Sequence, residues 1–223
     1  DVDFSKKETV SLTNIKLVSQ IYSANIPKRI YVDNEELIVP GDIYNMCRYK
    51  FEWIDINPQN RYYTSIDGII YTADKKTLVR CPVGRIGRVV IPDGVTAIGR
   101  DAFRFCNISE AVIPDSVTEV GAAAFADSHI EKLTFGKGMT YISKRMFRLC
   151  PSLKHIHIPS NIKEIMSSAF SSCKAMEDIV LDEGVERIGP DAFEANTTND
   201  IKISLPSSVR MIESGALRNI KNV

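Results

Sequence analysis

Two histidines stand two residues apart in "LKHIHIP", His155 and His157, and Asp178 follows 23 residues after the first. On a strand both imidazoles would leave one face, and an aspartate on the next strand would complete a three-ligand zinc site. An HxH pair is a weak signal by itself, and surface histidines account for it more simply, so no metal is assigned. Arg80, Arg85, Arg88, Arg100 and Arg104 form a local basic cluster suited to an anionic glycan or a carboxylate. Acidic neighbours such as Asp93 and Asp101 favour a solvated, self-neutralising face instead. The chain has no serine elbow, phosphate loop, spaced CxxC pair or HExxH, so it reads as a non-enzyme, and no cofactor is implied. Sequons at Asn107 and Asn196 carry meaning only in a glycosylating secretory pathway.

Bulk composition narrows the field further. The 223 residues are 44% hydrophobic, enough for a sizeable core, and 28 basic residues balance 28 acidic ones. Nothing global points to nucleic acid or to an anionic membrane surface. No apolar run approaches the roughly 20 residues that cross a bilayer. The opening "DVDFSKKETV" is not a signal peptide, so export would imply a leader already removed. Five cysteines, an odd number in a chain this large, do not suggest a disulfide framework.

What must position these residues is a repeated phrase. "IPDGVTAIGRDAF", Ile91 to Phe103, recurs as "IPDSVTEVGAAAF", and later as "IPSNIKEIMSSAF" and "LDEGVERIGPDAF". The closing position reads Phe103, Phe125, Phe147, Phe170, Phe193 and Leu217, with steps of 22, 22, 23, 23 and 24. Within the phrase the spacing is constant: Ile91, Val95, Ile98 and Phe103 are separated by 4, 3 and 5 residues in all six copies. Length varies only after the Phe slot, where a loop absorbs insertions. This is the pattern of a solenoid.

A short alternation precedes each phrase, as in Leu153, Ile156 and Ile158, and predicts one strand per coil with one face buried. Pro92, Pro114, Pro159 and Pro206 end these strands, because proline cannot donate to a ladder. The remainder of each phrase would turn back through short helical or 3-10 turns, with Ala102, Ala124, Ala169 and Ala192 leaving room for the Phe. Cys106, Cys150 and Cys173 fall three residues past the Phe slot, and Cys47 does the same after Tyr44. These four are read as buried thiols of one structural position, and Cys81 stands outside the pattern.

The stretch "CPSLKHIHIPSNIKEIMSSAF" resembles the BspA-like leucine-rich repeat, and six such copies run from Arg88 to Leu217 with a degenerate one near Tyr44 to Ile56. "YYTSIDGIIYTADKKTLVRCP", Tyr62 to Pro82, is similar to a hairpin that often interrupts early coils in that family. The resemblance implies an α/β repeat solenoid, right-handed, with a parallel sheet. It would occupy 1–223 as a single domain: an irregular cap and degenerate coil over 1–60, a hairpin insertion over 61–85, and six regular coils over 86–223. It also implies a bacterial protein that is extracellular or on the cell surface, associated with adhesion; a scaffold of this kind fixes no ligand.

Two outward columns follow from the register. Three residues before the strand's last apolar position stand Arg88, Glu110, Lys132, His155, Asp178 and Lys202, with Trp53 in the degenerate coil. The simplest reading of this column is a self-neutralising ladder. One residue before it stand Val90, Val112, Thr134, His157, Val180 and Ser204, with Asp55. The valines together with Trp53 would make a partly apolar strip, which is the expected surface for a protein or glycan partner. The rival reading is a structural spacer. The last strand, "IKISLP", is an expected open edge, suited to weak self-association unless "RNIKNV" folds over it.

Overall fold

The computed structural model describes residues 9–12, 28–33, 43, 49–194, 201–218 and 220. Expectations that fell on Tyr44, Cys47 and Asn196 lie outside these residues. The chain forms two compact units, Asp1–Ile86 and Gly87–Val223.

In the first unit, β1 (Thr9–Leu12), β2 (Arg29–Val32) and β3 (Trp53–Ile56) form a parallel sheet. Val10 pairs with Ile30 and Leu12 with Val32, and the same residues of β2 continue to Ile54 and Ile56. Ile30, Val32, Ile54 and Ile56 are buried around Phe51, Ile43 and Ile70. The alternation in "RIYV" and "WIDI" therefore points inward as a period of two requires. Next come β4 (Tyr63–Ile66), β5 (Ile69–Thr72) and β6 (Thr77–Arg80), paired antiparallel in sequence. Asp74 closes the turn between the last two: it accepts from the Thr72 hydroxyl at 2.6 Å and the Lys76 amide at 2.9 Å. Those bonds hold its carboxyl below the usual carboxylate range.

β7 (Ile86–Val90) starts on the last residue of the first unit, and the second unit continues through β8 (Ala97–Ile98), β9 (Asn107–Val112), β10 (Glu119–Val120), β11 (Lys132–Thr134), β12 (Tyr141–Ile142), β13 (His155–Ile158), β14 (Glu164–Ile165), β15 (Asp178–Leu181), β16 (Arg187–Ile188), β17 (Lys202–Ser204) and β18 (Met211–Ile212). Odd-numbered strands stack in the orders β11-β9-β7 and β13-β15-β17. Even-numbered ones form a second parallel face, with β8 beside β10 and the order β12-β14-β16-β18.

Two expectations change here. Each coil carries two strands rather than one, because "AI", "EV", "YI", "EI", "RI" and "MI" find the same segment of the adjacent coil beside them. Helix is almost absent among the described residues, so the architecture is a parallel-strand β-solenoid of about seven turns and the α/β label does not hold.

The return segment is a chain of tight turns. Asp101, Ala123, Arg145, Ser168 and Asp191, each two residues before the Phe slot, have φ between 54° and 58°, and Gly215 occupies the sixth copy at 71°. Non-glycine residues rarely adopt this region, so a column of five needs a cause. The cause is hydrogen bonding between coils. With the backbone reversed there, the amides of Asp101, Phe103 and Phe105 donate to the carbonyls of Ala122, Ala124 and Ala126 one coil on. Those of Ala123, Phe125 and Asp127 repeat the pattern on Lys144, Met146 and Arg148. Buried backbone groups must be paired, and stacking pairs them.

The core is layered as the repeat requires. Phe103, Phe125, Phe147, Phe170 and Phe193 are fully buried and stack in series. Ala102, Ala124, Ala169 and Ala192 are equally buried beside them. Cys106, Cys150 and Cys173 are buried free thiols, as is Cys81. Cys150 and Cys173 donate to the carbonyls of Phe125 and Phe147 at 3.2 and 2.9 Å, and Ser128 in the same slot donates to Phe125 at 2.6 Å. Burial, then the neighbouring Cys150, pushes the Cys173 thiol well up.

Candidate binding face

Strand β13 shows how the outward columns arise. Ile156 and Ile158 turn into the core, so His155 and His157 must turn out, and both are exposed. Register then sets their neighbours. His155 pairs with Asp178 and Asp178 with Lys202, while His157 pairs with Val180 and Val180 with Ser204. In the other sheet Lys132 lies beside Glu110 and Thr134 beside Val112.

The charged column pairs from Arg88 to Asp178, with no ion pair at Lys202 among the described residues. Arg88 meets Glu110 at 3.3 Å, and Lys132 reaches the same carboxylate at 3.9 Å. His155 contacts Asp178 through Nδ1 and lies 3.8 Å from Glu177 through Nε2, and Lys154 reaches Glu177 at 3.7 Å. His157 turns elsewhere, its Nε2 lying 2.8 Å from Asp182. The two imidazoles thus engage different carboxylates, and His155, His157 and Asp178 do not converge on one point. Among the described residues no group of three His, Cys, Asp or Glu is arranged to hold a metal.

The second column is discontinuous as an apolar strip. Val90 and Val180 are 56% and 48% exposed, but Val112 is half-buried, and Thr134, His157 and Ser204 interleave polar groups.

Trp53 and Asp55 sit differently from the open positions expected of them. In the first unit the indole lies between two guanidinium groups, Arg29 at 5.0 Å and Arg85 at 4.9 Å from the ring. Its Nε1 donates to Asp55 at 2.9 Å, and Asp55 also accepts from Arg29 at 2.6 Å. Arg85 is held in turn by Asp67. Gly68 faces the ring so closely that a Cβ there would fall 2.5 Å from Trp53 Cδ2. Trp53 is therefore a half-buried packing centre, fixed by cation–π contacts and a hydrogen bond.

The arginine cluster also resolves into separate roles. Arg80 is buried, against the expectation of a solvated face, because β6 turns it inward. Arg104 bridges Asp127 at 3.0 Å and Asp101 at 3.4 Å and lies over Phe105 at 4.7 Å. Arg100 contacts Asp101 at 3.5 Å. Sequence reasoning placed recognition on the strand face and left the outward slots of the return segment unassigned, although "SKRMFRLC" differs there from every other copy.

Known proteins share this architecture. A leucine-rich repeat protein from Eubacterium ventriosum superposes with a TM-score of 0.63 at 20% identity, over 86% of this chain and 58% of its own. A leucine rich cell surface protein from Faecalibacterium prausnitzii gives 0.64 at 23% identity, over 95% and 62%. The pneumococcal vaccine antigen PcpA gives 0.59 at 14%, over 89% and 57%. The chain thus spans about three-fifths of the length of these structures. No individual curated protein matches the sequence. The family described as "BspA type Leucine rich repeat region" matches residues 83–200 in six copies, just over half of the chain. With the phrase spacing, the two-strand coils and that match in agreement, the chain belongs to the BspA type leucine-rich repeat family.

Proposed function

We propose that the protein is a non-enzymatic recognition module that binds a protein or glycan at a bacterial cell surface, through the outward face of the first strand of each coil. BspA-type repeat proteins are generally interaction modules and are not known as enzymes. The observation that carries the reading is the alternation in β13, β15 and β17, where Ile156, Ile179 and Ile203 are buried while His157, Val180 and Ser204 stand exposed. The inward residues answer to the core, and the outward ones are free to answer to a partner. A surface location is supported by the family and by the cell surface protein among the structural neighbours; no helix among the described residues is long and apolar enough to cross a membrane.

A glycan and matrix-protein array tests the reading. Wild-type protein is expected to capture a ligand that a Val90→Glu, Val180→Glu variant loses while keeping its circular dichroism. Undiminished capture by the variant would sink it.

A second reading has its own observation. The charged column is largely satisfied within itself, as a spacer would require, and under that reading wild-type protein captures nothing. Weak self-association through the edge strand β17 is part of the proposal, and β18 adds a second exposed edge, where Ile212 is 45% exposed although Ile142, Ile165 and Ile188 in its register are buried. Sedimentation at rising concentration measures it.

A further inference from the structure

On the return-segment face three of the six coils carry cations, and in two of them a carboxylate at the same level or one coil away neutralises the arginines. Arg104 takes Asp101 and Asp127, and Arg218 takes Glu194 at 2.8 Å and Asp191 at 3.6 Å. One coil breaks the rule. Its slots hold Lys144, Arg145 and Arg148, and among the described residues none of the three has an acidic partner. The backbone bonds identify what flanks them. Ala123 and Asp127 donate to the carbonyls of Lys144 and Arg148 on one side, and Arg145 and Leu149 donate to those of Ser167 and Ser171 on the other. The equivalent slots on the earlier coil are alanines, and on the later coil serines. Asp127, whose amide donates to the Arg148 carbonyl at 2.8 Å, has its carboxylate held by Arg104 at 3.0 Å.

From this geometry we infer that the coil from Lys144 to Arg148, with its serine-rich neighbour, is a binding site for an anionic polysaccharide, one carrying sulfate or carboxylate groups along its length. Three positive charges lie within five residues, and Lys144 and Arg145 are exposed. Guanidinium groups bind oxyanions through paired donors, and half-buried Ser167 and Ser168 offer hydroxyls in the next layer, while Ser171 is buried. The three cations follow one another along a single coil, so they present a row of charge that matches a chain of anionic groups laid along it better than a single ion. The equivalent slots of the two flanking coils hold alanine and serine, with no aromatic ring on which a base would stack, which separates this surface from single-stranded nucleic acid sites. With zero formal net charge on the protein, attraction here must come from the local patch.

The protein's own next coil supplies the control for folding. Ser168 holds φ of 56° where Arg145 holds 58°, so Lys144→Ser, Arg145→Ser and Arg148→Ser together reproduce the Ser167, Ser168 and Ser171 pattern. The probe is dextran sulfate, with neutral dextran and single-stranded DNA beside it, at 50 and 150 mM salt. Wild-type protein is expected to bind dextran sulfate, to ignore neutral dextran, and to lose affinity about tenfold or more in the triple variant and steeply with salt. A second variant removes the same charge elsewhere, Lys50→Ser, Arg61→Ser and Lys75→Ser, and should retain binding. Equal loss in both variants would show diffuse attraction and overturn the proposal. Absence of dextran sulfate binding, or tighter binding of the DNA, would overturn it as well.

Discussion

The rings of Phe103 and Phe125 lie 4.6 Å apart between centroids, with planes 2° from parallel. That separation is close to the spacing of adjacent strands, about 4.8 Å, so the solenoid's own rise sets the stacking distance. The series continues through Phe147, Phe170 and Phe193 at 5.6, 5.1 and 5.3 Å. Phe147 has a stacked neighbour on each side, and Phe135 meets it edge-on at 6.5 Å. Replacing Phe147 by alanine removes contacts in three layers and is expected to cost about 3–5 kcal/mol. Leu217→Ala, at the half-buried last slot, should cost clearly less. Urea denaturation midpoints of the two variants check this order, and similar midpoints would contradict the layered account.

The column of left-handed residues predicts a stabilising change. Ala123 holds φ of 58°, a conformation costing roughly 1–2 kcal/mol for a residue with a Cβ. Glycine removes that strain and gives back part of the gain as chain entropy, as Gly215 already does in the last coil at 71°. Ala123→Gly should therefore raise stability by about 0.5–1 kcal/mol in thermal or urea unfolding. A destabilised variant would mean that the alanine methyl contributes more packing than its backbone loses.

Trp53 is the chain's single tryptophan, so its fluorescence reports on the first unit alone. A methyl at Gly68 would meet the indole at 2.5 Å and would also have to sit at φ of 71°. Gly68→Ala is expected to shift the emission maximum and to cost about 1–3 kcal/mol. An unchanged spectrum would show that the ring is not held against Gly68.

Glu183 predicts an acid-side effect. It accepts from the Ser207 amide at 2.9 Å, the Ser207 hydroxyl at 3.1 Å and the Ser208 amide at 3.1 Å, linking two coils. These bonds, the Ser207 amide first, hold its carboxyl below the ordinary carboxylate range. A folded-state value below the unfolded one means that the contribution is fully present above the unfolded value. It is then lost as pH falls through the folded value. Glu183→Gln should flatten the acid limb of a stability–pH curve and lower stability at neutral pH. A variant with the parent's acid limb would remove Glu183 from that account.

The layers of the core were readable because burial here is periodic. Phe103 and its counterparts recur with fixed companions, and most of these are buried, the exceptions being half-buried Phe135 and the last copy, where Leu205 and Val209 are half-buried and Ile212 is exposed. The second strand was missed because two residues such as Ala97 and Ile98 are too short to show alternation. They become a strand only when Glu119 and Val120 lie beside them. The packing of Trp53 was unreadable for a related reason. It takes an outward position of β3, where Ile54 and Ile56 turn inward, but the cations that flank it, Arg29 and Arg85, come from 24 residues before and 32 after in the sequence.

By itself, the sequence determined the repeat, its coil length, the identity of the buried positions and the membership of the outward columns, since all of these depend on spacing along the chain. Tertiary structure alone decided which outward residues remain available to a partner. Arg104 is spent on Asp101 and Asp127, and His157 on Asp182, while Lys144, Arg145 and Arg148 take part in no ion pair among the described residues. The reason is that side-chain pairing in a solenoid runs across coils. It is set by register and by the reach of residues more than twenty positions apart, and the left-handed backbone column that aligns the return segments exists only once the coils are stacked.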